Sequence, residues 1–360
     1  MKVIPALAFL LLLQPAFSQY NWTELDKKLE DNQKLLGNNV VCLLWKGDSL
    51  IYKKEMGGFN SKTVAPIASC SKWLTAALVM QFVDEGKLSL DDKVAKYIPE
   101  FDKYFKGYIT IRQCLSHMTG IADDKNFLKR ILERRKFASL EEEVNSFAAR
   151  EIRANPGTDF WYGNVGLNIA GRVLEVISKK KFEILIKTKL FVPLEMTKTT
   201  FADMKGGPVN PSGGAQSTAD DYMKFLVMML NNGKYKGKLI LSEEAIQLMQ
   251  EVQNKPGEIK YAPGAAKGFT YALGSWVVED ETTAGMKFDP NKPIREYAEK
   301  PKLVATALAS PGLFGTWPMI DYCRGYAYIV FVKNLLGDER AEVHKEARKI
   351  IDAQITDNCR

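Results

Sequence analysis

Histidine is nearly missing from this chain: His117 and His344 are its two histidines in 360 residues. No H-E-x-x-H helix and no His/Cys group at ligand spacing accompanies them, so neither a metal centre nor another cofactor is expected. There is no G-x-S-x-G elbow, which leaves an α/β-hydrolase triad without its nucleophile turn. A phosphate-cradling glycine loop is also lacking. The five cysteines, Cys42, Cys70, Cys114, Cys323 and Cys359, form no C-x-x-C and cannot all pair with one another. Cys42 and Cys114 sit in apolar runs and read as buried small hydrophobes; disulfide use is left open. Beyond Ser18 no apolar run approaches bilayer-spanning length, so no stable membrane anchor is expected. The net charge of +7 is carried by scattered residues and short clusters such as Lys179-Lys180-Lys181. Those are not basic stripes interleaved with stacking aromatics, and no nucleic-acid partner is expected.

What is present begins with a leader pattern. Met1-Lys2, the apolar run Val3 to Leu13 and the small-x-small Ala16-Phe17-Ser18 have the form of a removed secretory peptide over residues 1–18. Export to a periplasmic or secreted location is therefore expected. Alternating runs at Val40 to Trp45 and Leu50 to Lys53, joined by Lys46-Gly47-Asp48, predict a hairpin, with an amphipathic helix before it over Tyr20 to Leu36. Helical periodicity fills the middle of the chain, including Phe127 to Arg153, Leu167 to Ser178 and Thr218 to Asn231. Strand-like runs return at Phe269 to Val278, Leu303 to Ala309 and Tyr326 to Val332. A last amphipathic helix spans about Arg340 to Ile355, where His344, among Glu342, Lys345 and Glu346, is expected to face solvent. Strands segregated to both ends imply one antiparallel sheet built from distant segments. The domain reading is residues 20–66 with 235–360 as a discontinuous α/β unit and 67–234 as a mainly helical one.

The chemistry concentrates at Ala65-Pro66-Ile67-Ala68-Ser69-Cys70-Ser71-Lys72, which runs into an apolar helix pattern through Leu74, Leu78 and Phe82. Residues three apart share a helix face, so the Lys72 amine can reach the Ser69 hydroxyl. A serine hydroxyl needs a neighbouring base to become a nucleophile, and a helix N-terminus offers free N–H groups to a developing oxyanion. The same residues also suit a plain N-cap followed by a surface lysine. Cys70 could supply a thiol instead, but the spacing puts Ser69 on the Lys72 face. A second S-x-x-K, Ser178 to Lys181, reads as a solvated turn. Tyr162-Gly163-Asn164 is the other candidate: a phenol can relay a proton and an asparagine can hold an amine and a substrate amide. The alternative there is a buried tyrosine with its hydroxyl satisfied locally. His117 reads as a capping or packing residue. Trp276, Trp317 and Phe314 are candidates for cleft lining or for core.

Taken together, Ser69-x-x-Lys72, Leu115-Ser116-His117-Met118-Thr119-Gly120-Ile121 and Tyr162-Gly163-Asn164 resemble the β-lactamase-related serine hydrolases. That group includes class C β-lactamases, family VIII carboxylesterases and D-Ala-D-Ala carboxypeptidases. Phe191 to Met196 and Gly213 to Asp221 extend the similarity, which covers roughly Asn39 to Val332. The resemblance implies a β-lactamase/transpeptidase-like fold, α/β plus all-α, with a central antiparallel sheet flanked by helices and an inserted helical region. It also implies Ser69 as acylated nucleophile, Lys72 and Tyr162 sharing proton transfer, and Asn164 positioning substrate. An oxyanion hole would come from the N–H of Ser69 and of a residue on an edge strand after the third motif. Ser310-Pro311-Gly312-Leu313-Phe314-Gly315 fills that slot, making Leu313 the second donor.

Here the chain departs from the family, which has lysine or histidine where Ser310 stands. Without that cation a substrate carboxylate loses its partner, and Pro311 removes one backbone N–H. A plain turn between strands is the other reading of Ser310-Pro311-Gly312. The expected function is hydrolysis of a small-molecule ester, amide or cell-wall peptide, most of all esterase-type. The alternatives are β-lactamase or penicillin-binding carboxypeptidase activity, or a non-catalytic homologue that binds cell-wall peptides.

Overall fold

The computed structural model describes residues 20–124, 133–202, 207–282 and 303–359. The expected leader over 1–18 and the first part of the helix expected over 127–153 lie outside them.

Two hydrophobic strands from opposite ends of the chain organise the fold. β1 (Val40–Lys46) pairs antiparallel with β7 (Tyr326–Val332), Val41 opposite Phe331 and Leu43 opposite Ile329. Successive strand residues point to opposite faces. Val40, Cys42 and Leu44 accordingly enter one apolar layer, and Val41 and Leu43 enter the other. Burial on both faces is why these strands read as unbroken apolar runs. The sheet continues as β2 (Ser49–Met56), β1, β7, β6 (Trp317–Asp321), β5 (Leu303–Ala309), β4 (Trp276–Thr282) and β3 (Thr270–Tyr271), with antiparallel neighbours throughout.

The face bearing Val40 is covered by α1 (Thr23–Asp31) and α8 (Asp338–Asp352), which also contact each other. On the opposite face lie α2 (Ser71–Asp84), α5 (Val165–Ser178) and α6 (Ala219–Leu230), with α6 packed on β7 and β1. α2 is buried on every side from Ser71 to Phe82. An all-round apolar helix belongs in the core, so packing rather than a cap fixes where its N-terminus points. Further helices include α3 (Ile111–Leu115), α4 (Leu140–Ala149) and α7 (Glu243–Gln250). α3 starts at a capping box: Thr110 Oγ1 accepts from the Gln113 N–H, and Gln113 Oε1 accepts from the Thr110 N–H.

Three expectations need correction, and one strand lies where none was expected. The helix expected over Tyr20 to Leu36 ends at Asp31 and continues as turns. β6 went unrecognised because it contains Pro318, a residue that argues against an interior strand. Here Pro318 lies opposite Ile329 of β7, and its carbonyl accepts from the Ser310 N–H at 3.2 Å. His344 does not face solvent: it is 1% exposed and stacked on Trp317, with ring centroids 4.9 Å apart. The segment Ser310-Pro311-Gly312 is not on an edge strand. It opens the turn between β5 and β6, both interior to the sheet, closed by Gly312 N–H to Thr316 O at 2.8 Å.

The cysteine question also resolves. Cys323 and Cys359 form a disulfide that ties the segment after α8 to the β6–β7 turn. Cys42, Cys70 and Cys114 are free and buried.

Candidate active site

Ser69 sits on a single 3-10 turn, Ala68–Cys70, that feeds α2. Ala68 holds a left-handed φ of +44°, uncommon for a residue with a Cβ, and this bend turns the half-buried Ser69 toward a cleft. No side-chain capping bond is made at the start of the turn or of α2. The Ser69 hydroxyl is therefore not spent as an N-cap.

Lys72 is one turn further on and 1% exposed. Its Nζ lies 3.2 Å from Ser69 Oγ, 3.4 Å from Asn164 Oδ1 and 2.8 Å from the Ser212 carbonyl. Asn164 Oδ1 and the Ser212 carbonyl can only accept, whereas the Ser69 hydroxyl can also donate, so the lone pair of a neutral amine has a partner here. The Lys72 Nζ also lies 4.9 Å from the centre of the Tyr162 ring, so the phenol is packed against the amine. Ser69, Lys72, Tyr162 and Asn164, spread over nearly a hundred positions of sequence, are thus brought to one place. The second S-x-x-K is not: Lys179, Lys180 and Lys181 are exposed in the turn after α5.

Three supports hold this arrangement. The 210–217 loop wraps the nucleophile turn: Ala215 N–H donates to Ser71 Oγ, Ile67 N–H to Ala215 O, and Thr75 Oγ1 to Pro211 O. From α5, Asn168 Oδ1 accepts from Ser212 N–H at 3.0 Å. The Tyr162-Gly163-Asn164 turn rests on Asp123, a buried carboxylate that accepts from the Asn164 N–H at 2.8 Å and faces Arg150 at 3.5 Å. A Cβ on Gly163 would fall 2.2 Å from Asp123 Oδ2, which is why glycine separates the tyrosine and asparagine. Beneath, Tyr162 packs among Trp276, Tyr271 and His117. His117 is buried and its Nε2 lies 3.2 Å from the Tyr271 hydroxyl, the packing role expected for it.

Cys70 is no rival nucleophile. It is wholly buried against the Thr316 carbonyl, and desolvation raises its thiol pKa.

The cleft holds about 250 Å³ and is lined by Ser69, Tyr162, Asn164, Pro311, Gly312 and Leu313 among others. Among the described residues, neither the Ser69 nor the Leu313 N–H donates to another backbone group. Ser310 is buried below the rim, its hydroxyl donating to the Ser69 carbonyl at 3.3 Å. Trp276 joins the lining, whereas Trp317 stacks on His344 in the other layer and Phe314 is not part of the wall. Sequence reasoning missed Asn210, Ser212, Asp123, Tyr261 and Asp338. Ser212 acts through its carbonyl, which leaves no residue-type signal.

A family model described as Beta-lactamase matches residues 27–353. Protein Rv1367c of Mycobacterium tuberculosis (strain ATCC 25618 / H37Rv) is 24% identical over 79% of this chain and 82% of its own length. Among solved structures, a beta-lactamase candidate of Bacteroides dorei DSM 17855 superposes with a TM-score of 0.74 at 27% identity, covering 92% of this chain and 99% of that one. EstCE1, a hydrolase with promiscuous acyltransferase activity, gives 0.70 at 17% identity over 91% and 98%. The octameric penicillin-binding protein homologue of Pyrococcus abyssi gives 0.68 at 20% over 91% and 77%. The last two, at such identities, establish the β-lactamase/transpeptidase-like fold alone.

Proposed function

The chain belongs to the Beta-lactamase family, whose fold generally carries serine hydrolases, and from that premise we propose an exported, esterase-type enzyme that forms an acyl-enzyme at Ser69. The observation that carries the reading is the Lys72 amine 3.2 Å from Ser69 Oγ at the wall of an open cleft. Binding alone has no use for a nucleophile beside a base.

In the proposed cycle, Lys72 in its neutral form takes the Ser69 proton, with Tyr162 beside it, as Ser69 Oγ bonds to the substrate carbonyl carbon. The Ser69 and Leu313 N–H groups receive the developing oxyanion, and Asn164 positions the substrate. Collapse expels the alcohol or amine, which takes the proton back from the Lys72–Tyr162 pair. Water then gives a proton to the same pair, attacks the acyl carbon, and the proton returns to Ser69 as the acid leaves.

The preference for esters over β-lactams or D-Ala-D-Ala stems rests on charge. Those ligands carry a carboxylate, and the described residues that line the cleft include no lysine, arginine or histidine, Ser310 standing where the family has a cation. Export rests on the leader pattern of residues 1–18, and the Cys323–Cys359 disulfide suits an oxidising compartment.

A panel of p-nitrophenyl acetate and a labelled penicillin tests the reading. Ester turnover lost in Ser69→Ala, with weak penicillin labelling, is the expected result. Stoichiometric penicillin capture would move the assignment to a penicillin-binding activity. Inertness toward both would favour a binding homologue.

A further inference from the structure

The remainder of the cleft wall says what kind of substrate it favours. Among the described residues that line it, the single charged side chain is the carboxylate of Asp338, the first residue of α8. An acid is at home in the first turn of a helix, and Glu339 beside it shows as much. Its placement needs more than that. Leu336 N–H donates to the Leu313 carbonyl at 2.7 Å, which zips the approach to α8 alongside the segment holding the second oxyanion donor. From the facing wall, Gly264 allows the carboxylate in: a Cβ there would sit 2.3 Å from Asp338 Oδ1.

Among the described residues no cation answers this acid. Asp338 has no ion pair among the described residues. Arg340, two positions on, directs its guanidinium to the Leu35 and Leu335 carbonyls. Aromatic surface completes the wall, from Tyr261 and Trp276. A carboxylate in the same cleft wall as the half-buried Tyr261 ring and the edge of the buried Trp276, with apolar Pro263, Ala265 and Leu336 around them, is the chemistry that recognises an alkylammonium group. It repels the carboxylate that a Lys or His at position 310 would have attracted.

We propose that Asp338 is a specificity residue and that the preferred substrates are esters or amides bearing an alkylammonium group. The proposal rests on the cleft being the acyl-transfer site, so its test reads binding apart from turnover. Choline and its uncharged isostere 3,3-dimethylbutan-1-ol would be titrated against the full chain and against Ser69→Ala, following tryptophan fluorescence or heat. Hydrolysis of acetylthiocholine against S-(3,3-dimethylbutyl) thioacetate would run alongside.

The expected result is a preference for the cation of about five-fold in binding, as for an exposed charge and cation–π contact. That ratio should fall to about two-fold or less in Asp338→Asn and persist in Glu339→Gln, which removes the neighbouring helix-end charge but not the lining carboxylate. Equal binding of the two isosteres, or a ratio that Asp338→Asn leaves intact, would overturn the proposal. A cation preference that depends on Asp338 in a protein that hydrolyses no ester would sink the hydrolase reading and the substrate claim with it, leaving Asp338 as a selector of alkylammonium ligands.

Discussion

At the scale of single residues, two buried bases serve different ends, Lys72 the chemistry and His344 the stability. Lys72 is held by three acceptors and a ring, so truncating it removes the only amine in contact with Ser69 among the described residues. Lys72→Ala should retain the native near-ultraviolet spectrum while acylation falls by about 10²–10⁴-fold, the range for losing a general base. Undiminished labelling by a fluorophosphonate would assign the base elsewhere. His344 makes the opposite kind of prediction, one about stability. Desolvation against Trp317 lowers its pKa from 6.5 to about 3, so the folded protein keeps it neutral where the unfolded chain takes up a proton. Stability from this site is therefore complete above pH 6.5 and is lost progressively as pH falls toward 3. Between pH 7.5 and 4.5, His344→Phe should lose less denaturation free energy than the parent by about 2–3 kcal/mol. Equal losses in the two proteins would show that this imidazole titrates normally.

At the scale of elements, the site is assembled from the ends of segments, and close backbone approach is the joint. A Cβ on Gly312 would lie 2.3 Å from the Ile67 carbonyl and 3.1 Å from Cys70 Sγ. Gly312→Ala should push the β5–β6 turn off the nucleophile turn. A loss of about 100-fold in kcat/KM is expected, the scale of a one-ångström misplacement; wild-type kinetics would separate the two segments functionally. The elements themselves were largely legible. β1, β5 and β7 announce themselves as apolar runs and α3 as a capping box. Ser69, Lys72, Tyr162 and Asn164 could be named because spacing and order carry the chemistry of their side chains. What stayed hidden depends on tertiary context. Pro318 masked β6, because a proline's carbonyl can still serve a sheet. His344 was misread since its polar neighbours in sequence say nothing of Trp317 across the layer. Asp123 and Ser212 act on a backbone N–H and through a backbone carbonyl, contacts that no pattern in the primary structure records.

For the whole molecule, one sheet made from both ends of the chain positions the helices that carry the site. The Cys323–Cys359 bridge locks the end of that arrangement, closing a loop across 36 residues of sequence separation. Replacing both cysteines by serine should cost about 2–4 kcal/mol in denaturant titration. Because the turn carrying Ser69 packs on the segment that precedes β6, whereas Cys323 follows that strand, kcat at low temperature should change little; a collapse of activity without loss of stability would mean the bridge serves the site directly. The central claim is that the hydroxyl of residue 69 becomes covalently acylated. Rapid acid quenching during p-nitrophenyl acetate turnover, followed by peptide mass spectrometry, tests it most directly. One acetyl group on the peptide containing Ser69, missing from Ser69→Ala, is the outcome the structure leads to. Acetyl found only on lysines, or at equal yield in both proteins, would contradict it.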